Sequence, residues 1–206
     1  MTGKVTHTRA MALRRVCVFC GSSSGNRDDY RSSTTTLAAE LVRRGIGLVY
    51  GGACVGLMGL LADEVLAGGG EVIGVIPKAM CDREIAHPGL TDLRIVESMH
   101  ERKATMAGLA DAFIALPGGF GTFEEFCEAV TWTQLGLHQK RCGLLNVAGF
   151  YDPLLALFDR AVADGFLKPQ NRAIVAAEAE PSALLDRLSL APASSEPKWL
   201  TSLAES

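Results

Sequence analysis

The chain has 206 residues, 48% of them apolar, and a formal net charge of −3. This length predicts one domain with a sizeable hydrophobic core. The near-neutral balance leaves no basic excess for binding a nucleic-acid backbone, and no apolar run is long enough to cross a bilayer, so we expect neither nucleic acid nor a membrane as a partner.

The two ends of the chain are predicted to lie outside the folded domain. Residues 1–13 are polar and lack the apolar stretch of a secretory signal, and residues 191–206 have the composition of a loose tail. We therefore expect one nucleotide-binding domain over residues 14–190, a disordered lead-in before it, and a cytoplasmic location.

Six cysteines are present, and two of them, Cys17 and Cys20, have a spacing that is known from metal and redox sites. Both fall in a predicted strand, where positions three apart face opposite sides, and no second cysteine or histidine pair has a matching spacing. We therefore predict reduced, buried thiols and no metal site.

Strands and helices alternate along the chain. The predicted strands are 15–20, 47–50, 72–76, 93–96, 112–116, 143–147 and 173–177, and the predicted helices are 29–43, 57–67, 99–109, 126–137, 152–163 and 181–188. Residues 80–92 are predicted to be irregular. Short, continuously apolar strands between helices are typical of an α/β fold whose parallel sheet, here of about seven strands, has helices on both faces.

Turns rich in glycine or serine follow several of these strands. They include Gly21-Ser22, Gly51-Gly52 and Pro117–Thr122. In a parallel sheet these turns share the carboxyl edge, where ligands bind. One such turn would be explained by tight strand–helix packing, but several at one edge favour a ligand that carries phosphate. Neither a first-strand dinucleotide fingerprint nor a P-loop is present.

The most informative turn is Pro117–Glu125, between a predicted strand and a predicted helix. Its glycines allow close backbone approach, and the N–H groups from Gly118 to Thr122 are predicted to hold a phosphate. Glu124 and Glu125 have no use in a site that only holds phosphate, but they suit chemistry on a sugar. The alternative is structural, because Thr122 and Glu125 have the spacing of a capping box.

Arg102 and Lys103 form a second candidate feature at the same edge. Ser98 and Glu101 have capping-box spacing and predict that a helix begins there. Two cations close to a helix N-terminus are unfavourable, so we expect an anion beside them, either a sugar phosphate or Glu84. A solvated basic pair is the structural alternative.

Motifs over nearly the whole chain resemble those of the Lonely Guy family, the cytokinin riboside 5′-monophosphate phosphoribohydrolases. The matching segments are 50–52, 83–84, 102–103, 117–125, 131–136 and 143–146. The glycine motif with its trailing glutamate is the most specific of them. Phe120 stands where relatives often carry tyrosine.

The resemblance implies a Rossmann-like fold, a homodimer, no cofactor, and hydrolysis of a nucleoside 5′-monophosphate to free base and ribose 5-phosphate. It implies that Arg102 and Glu125 are the catalytic pair. The substrate contacts that it implies come from Glu84, Lys103, Gly119, Phe120, Gly121, Thr122, Phe123, Glu124 and Thr131.

The residues suit that chemistry. Glycosidic hydrolysis passes through a state with positive charge on the sugar ring, and a nearby carboxylate stabilises this charge or activates the attacking water. We hypothesise that Glu125 does one of these. Arg102 would bind the phosphate, bind ribose hydroxyls or assist the leaving base.

Two other functions compete with this interpretation. A nucleotide-sensing module without turnover would need the glycine turns and the Arg102-Lys103 pair but not Glu125. A pyridoxal-phosphate decarboxylase would need a Schiff-base lysine, and Lys103 is the only lysine near the predicted site.

Overall fold

The computed structural model describes residues 12–81 and 85–190. Most of the predicted lead-in, the whole predicted tail and Glu84 lie outside the described residues.

The described residues form a single sheet of seven parallel strands. The strands are β1 (Arg15–Phe19), β2 (Gly47–Tyr50), β3 (Val72–Pro77), β4 (Asp92–Val96), β5 (Ala112–Ala115), β6 (Arg141–Leu145) and β7 (Val175–Glu178). Their order across the sheet is β4-β3-β2-β1-β5-β6-β7. The predicted α/β, Rossmann-like architecture is confirmed.

Helices connect the strands and cover both faces of the sheet. They are α1 (Asp28–Arg44), α2 (Gly56–Ala67), α3 (Lys78–Cys81), α4 (Met99–Leu109), α5 (Phe120–Gln134), α6 (Asp152–Ala163), α7 (Pro169–Arg172) and α8 (Pro181–Leu188). A 3-10 turn, Val147–Gly149, precedes α6.

Alternation along β1 divides the core into two layers. Val16, Val18 and Cys20 pack with α1, α2 and α8 on one face, whereas Cys17 and Phe19 pack with α4 and α5 on the other. The prediction that Cys17 and Cys20 face opposite sides is therefore confirmed. Each fully buried leucine of such a layer contributes about 1.5–3 kcal/mol, so the sheet gives the carboxyl-edge turns a rigid base.

The strand order places a crevice at the carboxyl end of β1. From β1 the chain moves outward to β2, β3 and β4, and α4 then returns it to β5 on the other side of β1. The turns after β1 and β5 therefore leave neighbouring strands in opposite directions, and α/β proteins bind ligands at such a switch point.

The structure corrects several predicted boundaries. Helix α5 begins at Phe120, six residues before the predicted start, because buried Thr122 and the ring of Phe123, packed on Phe150, bring the glycine turn into the first helical turn. Strand β6 begins at Arg141 because this residue pairs in register with β5. The short helices α3 and α7 lie in segments that were not predicted to be helical.

Candidate active site

The turns after β1 and β5 enclose a cavity of about 270 Å³, here named the glycine crevice. It is lined by Gly21–Gly25, Tyr30, Leu57, Pro117–Gly119 and Phe150. None of these described lining residues carries a charged side chain. Polar contacts to a ligand here would therefore come from backbone groups, serine hydroxyls and the Tyr30 hydroxyl.

Gly118 and Gly119 serve the crevice in different ways. The Gly21 N–H donates to the carbonyl of Pro117 at 3.1 Å, and a Cβ on Gly118 would overlap the Thr122 hydroxyl and lie 2.9 Å from the Gly21 nitrogen. Gly118 therefore allows the two turns to meet. A Cβ on Gly119 would have no neighbour within 4 Å among the described residues, so Gly119 leaves room for a ligand.

The N-terminus of α5 supplies donors for an anion beside this open space. Gly119 precedes the helix in an extended conformation (φ −100, ψ −156) and brings no capping side chain. The N–H groups of Phe120, Gly121 and Thr122 lie in the first turn, where no intrahelical acceptor exists. The helix dipole adds partial positive charge at this end, so the arrangement suits a phosphate.

Tyr151 supports the turn after β5 and was not among the predicted site residues. Its buried hydroxyl donates to the carbonyl of Leu116, directly before Pro117, at 2.6 Å. Its backbone N–H donates to the Asn146 side chain at 2.7 Å, which fixes the segment that carries the crevice wall Phe150. The only sequence signal was an aromatic pair after β6.

Arg102 and Glu125 form a buried ion pair between α4 and α5. The Arg102 Nη1 lies 2.8 Å from Glu125 Oε1, and the side chains are 9% and 10% exposed. Arg102 Nε also donates to the carbonyl of Val75 at 3.1 Å. A Cβ on Gly51 would overlap the Arg102 guanidinium, so the glycine after β2 makes room for this cation.

The capping-box alternative for Glu125 is wrong. Because α5 begins at Phe120, Glu125 lies in the second helical turn, and its carboxylate pairs with Arg102. Burial raises the pKa of Glu125, and the Arg102 charge offsets only part of that rise. Removal of either partner would leave an uncompensated buried charge.

The predicted cap of α4 is confirmed in a shifted form. The Ser98 hydroxyl accepts from the Glu101 N–H at 3.1 Å, but Glu101 reaches back to the N–H of Glu97 and not of Ser98. Within the described residues, the anions beside Arg102 and Lys103 are carboxylates of α5, which were not among the predicted anions.

Lys103 is held by two of these carboxylates. Its Nζ lies 2.6 Å from Glu124 Oε1 and 3.0 Å from Glu128 Oε2. Burial opposes the charged form of Lys103, but hydrogen bonds to both carboxylates outweigh burial and raise the pKa of Lys103. Glu128 was missed, although it follows Glu124 by one helical turn. We name these five residues, Arg102, Lys103, Glu124, Glu125 and Glu128, the charge bridge.

Of the other predicted residues, Ser22 belongs to the lining of the glycine crevice, whereas Gly52 and Thr131 do not. Gly52 has φ +77, and a Cβ there would contact β3, so its position supports a turn. Thr131 lies further along α5, where its hydroxyl donates to the Cys127 carbonyl at 2.7 Å and it lines a groove against α6. The Phe120 ring is 91% exposed beside the crevice.

The thiols differ in exposure. Cys17, Cys20 and Cys142 are buried, as predicted, whereas Cys54 is exposed. Burial raises the pKa of Cys17 and of Cys20, so neither thiol is a ready metal ligand or nucleophile.

Within residues 12–81 and 85–190, no cluster of three or more His, Cys, Asp or Glu side chains could hold a metal ion. No helix in those ranges is long and apolar enough to cross a membrane.

Sequence comparisons place these features among known proteins. A family model described as "Possible lysine decarboxylase" matches residues 58–188. A relative from Oryza sativa subsp. japonica, named as a probable cytokinin riboside 5′-monophosphate phosphoribohydrolase, is 58% identical over 78% of this chain and 72% of its own length. A cytokinin riboside 5′-monophosphate phosphoribohydrolase of Arabidopsis thaliana is 53% identical over 85% of this chain and 83% of its own.

Solved structures share the fold at lower identity. A structural-genomics X-ray structure of a protein called TM1055 has a TM-score of 0.66 at 22% identity and covers 84% of this chain and 97% of its own. A molybdenum cofactor binding protein from Rippkaea orientalis has a TM-score of 0.64 at 18% identity, over 87% and 95% of the two chains. The chain therefore belongs to the family of the cytokinin riboside 5′-monophosphate phosphoribohydrolases, within the group that the family model describes as possible lysine decarboxylases.

Proposed function

We propose that this protein hydrolyses the N-glycosidic bond of N6-modified adenosine 5′-monophosphates and releases the cytokinin base and ribose 5-phosphate. The observation that carries the proposal is the buried Arg102–Glu125 pair at 2.8 Å, because Glu125 lies on α5, the helix whose N-terminus opens at the glycine crevice. The names of relatives at 53–58% identity support the same reaction.

The 5′-phosphate binds at the N-terminus of α5. Its oxygens accept hydrogen bonds from the backbone N–H groups of Phe120, Gly121 and Thr122, next to the open space at Gly119. The lining residues that the structure describes include no carboxylate that would repel a dianion. Phosphate binding anchors the ribose, so that its C1′ atom is positioned against the charge bridge.

Glu125 acts on C1′. As the bond from C1′ to the base nitrogen breaks, its electron pair leaves with the base and positive charge develops on the sugar ring. The Glu125 carboxylate stabilises that charge and accepts a proton from the water whose oxygen adds to C1′. The departing base takes up a proton from solvent and Glu125 releases its proton to solvent, so that one water is consumed and the carboxylate is restored.

Arg102 keeps Glu125 in place for this step. Its guanidinium is fixed at one end by the Val75 carbonyl and at the other by the Glu125 carboxylate. The fixed positive charge favours the ionised form of Glu125 despite burial. Arg102 therefore acts on the reaction by positioning the carboxylate and by supplying N–H donors at the sugar.

The decarboxylase alternative fits Lys103 poorly. Formation of a Schiff base requires a neutral amine, whereas the ammonium of Lys103 is paired with Glu124 and Glu128 and its pKa is raised. The arrangement stabilises the form of the lysine that cannot react.

A homodimer is part of the proposal. Helix α6 carries an apolar face, yet none of its described residues is fully buried, and Leu157 on this helix is 62% exposed. Phe166, which lines the groove between α5 and α6, is 88% exposed. A second copy would cover this face. Sedimentation equilibrium should give twice the chain mass.

A cytoplasmic location is also proposed, because a reducing compartment suits the six free cysteines.

Turnover against a panel of nucleotides tests the function. We expect release of free base from isopentenyladenosine 5′-monophosphate, slower or equal release from AMP, and little from the unphosphorylated nucleosides, because they lack the group that α5 anchors. Binding of the monophosphate without release of base would instead identify a sensing module.

Glu125→Gln tests the catalytic role of Glu125, because glutamine has nearly the same shape but no charge. We expect kcat to fall by about 10³, while calorimetry gives a Kd for the monophosphate within about threefold of wild type, because the phosphate donors are unchanged. Near-normal turnover of this variant would show that the catalytic assignment is wrong.

A further inference from the structure

Lys103 is nearly as well enclosed as the buried pair Arg102–Glu125 of the charge bridge. Its side chain is only 10% exposed, and its ammonium bridges Glu124 and Glu128, which are one turn apart on α5. Glu128 is the better buried of the two carboxylates, at 26% exposed against 56% for Glu124. The contact to Glu128 is therefore the more shielded from water.

The number of N–H donors on Lys103 determines what its contact with Glu128 does. An ammonium has three N–H donors, and two of them are taken by Glu124 and Glu128. Among residues 12–81 and 85–190 the third donor has no carboxylate partner, and its direction is fixed by the other two. A lysine held in this way presents a single oriented donor, whereas an unheld lysine would sample many rotamers.

We propose that Glu128 is a positioning residue of the reaction: it holds Lys103 beside Glu125, so that the remaining Lys103 donor is directed at the substrate. This inference rests on the proposed function. Glu128 makes its contribution through Lys103 and does not itself touch the reacting atoms.

The same geometry makes Glu128 part of the electrostatic environment of Glu125. Among the described residues, the charged and titratable groups that face Glu125 are Arg102 and Lys103 from α4, Glu124 and Glu128 from α5, and the thiols of Cys17 in β1 and of Cys20 directly after it. The Glu128 charge raises the pKa of Glu125, and the Lys103 charge lowers it. Removing Glu128 or Lys103 should therefore move the titration of Glu125 in opposite directions.

The test compares Glu128→Gln with Lys103→Met in pH profiles of kcat/KM. Glu125 acts in its ionised form, so activity is lost as pH falls through the pKa of Glu125. We expect Glu128→Gln to reduce kcat/KM about tenfold and to move the acid limb to lower pH, because the Glu128 charge raises the pKa of Glu125. Lys103→Met should move the limb up. A loss of packing alone would not move the two limbs in opposite directions.

Two controls isolate the role of Glu128. Glu40→Gln removes a carboxylate that also bridges two cations, Arg43 and Arg44, but lies on α1 behind the other face of the sheet, so the acid limb should not move. Glu128→Asp retains the charge, so its acid limb should stay near that of wild type.

A measurement without turnover separates the two proposals. The carboxyl carbon of Glu125, assigned in ¹³C-glutamate spectra by its absence in Glu125→Gln, should titrate at lower pH in Glu128→Gln than in wild type. If wild type releases base but Glu128→Gln leaves both kcat/KM and this titration unchanged, the role of Glu128 is overturned and the proposed function stands. If wild type releases no base, the function falls, and the titration still decides whether Glu128 acts on Glu125.

Discussion

The glycine crevice and the charge bridge lie at the same edge of the sheet but use opposite means. The described lining of the crevice contains no charged side chain, whereas the bridge concentrates two cations and three carboxylates between α4 and α5. Backbone donors suit a phosphate, whose charge is present throughout the reaction. An excess of carboxylate suits a sugar ring whose positive charge appears only in the transition state.

The difference shows how one helix serves both ends of the substrate. The first turn of α5 offers N–H groups and the positive end of its dipole, and the next turn carries Glu124 and Glu125. Negative side chains placed in the first turn would repel the phosphate. Moving them one turn along the helix separates the two requirements by about 5 Å.

Arg102→Lys would break the bridge and is expected to have the largest effect. Lysine cannot contact the Val75 carbonyl and the Glu125 carboxylate with one planar fork, and the Glu125 carboxylate would be left poorly paired in a buried site. We expect kcat to fall by about 10³, measured by base release under saturating substrate.

Arg94→Lys provides the matched control. Arg94 pairs with Asp92 on the exposed edge strand β4, and exposed pairs contribute little, so its kcat should match that of wild type. If Arg102→Lys retained more than a tenth of wild-type kcat with an unchanged thermal midpoint, the bridge would not be the catalytic region.

Gly119→Ala tests the crevice and should act on binding. Gly119 has a backbone conformation open to alanine, and its Cβ would meet no described atom within 4 Å, so the fold should be unaffected. The methyl group would instead occupy space next to the phosphate donors. We expect KM for the monophosphate to rise about tenfold with kcat little changed.

Gly108→Ala is the control for that substitution. It lies on α4, where a Cβ would also meet no neighbour within 4 Å of the described chain, and alanine should stabilise the helix by about 0.5–1 kcal/mol. Its KM should equal that of wild type. An unchanged KM in Gly119→Ala would place the phosphate elsewhere.

Much of this architecture is predictable from local sequence. Helix α4 has its predicted bounds because the Ser98 cap and the following helix-forming residues agree, and buried strands such as β2 are bounded by glycines. The start of α5 was wrong because Gly121 and Thr122 have low helix propensity, and only their packing places them in the first turn. Local pattern could not reveal that.

The partners within the site are harder to predict because they are long-range. Lys103 and Glu128 lie 25 positions apart and meet only after α4 and α5 pack on the same face of the sheet. Tyr151 and Leu116 meet for the same reason. The motif identified Arg102 and Glu125 as important, but their pairing, which excludes the cap at Thr122, required the fold.

Glu124→Gln is expected to have the smallest effect, and it compares the roles of two adjacent glutamates. Glu124 and Glu125 are adjacent, but Glu124 is 56% exposed and pairs with Lys103, which Glu128 also holds. Exposed ion pairs contribute about 0–1 kcal/mol, so kcat should fall by no more than about fivefold, against about 10³ for Glu125→Gln. Parallel single-turnover measurements on the two variants would check this ratio. Equal losses would mean that exposure does not separate the roles of the two glutamates, and that the bridge acts as one unit in which any lost carboxylate stops the reaction.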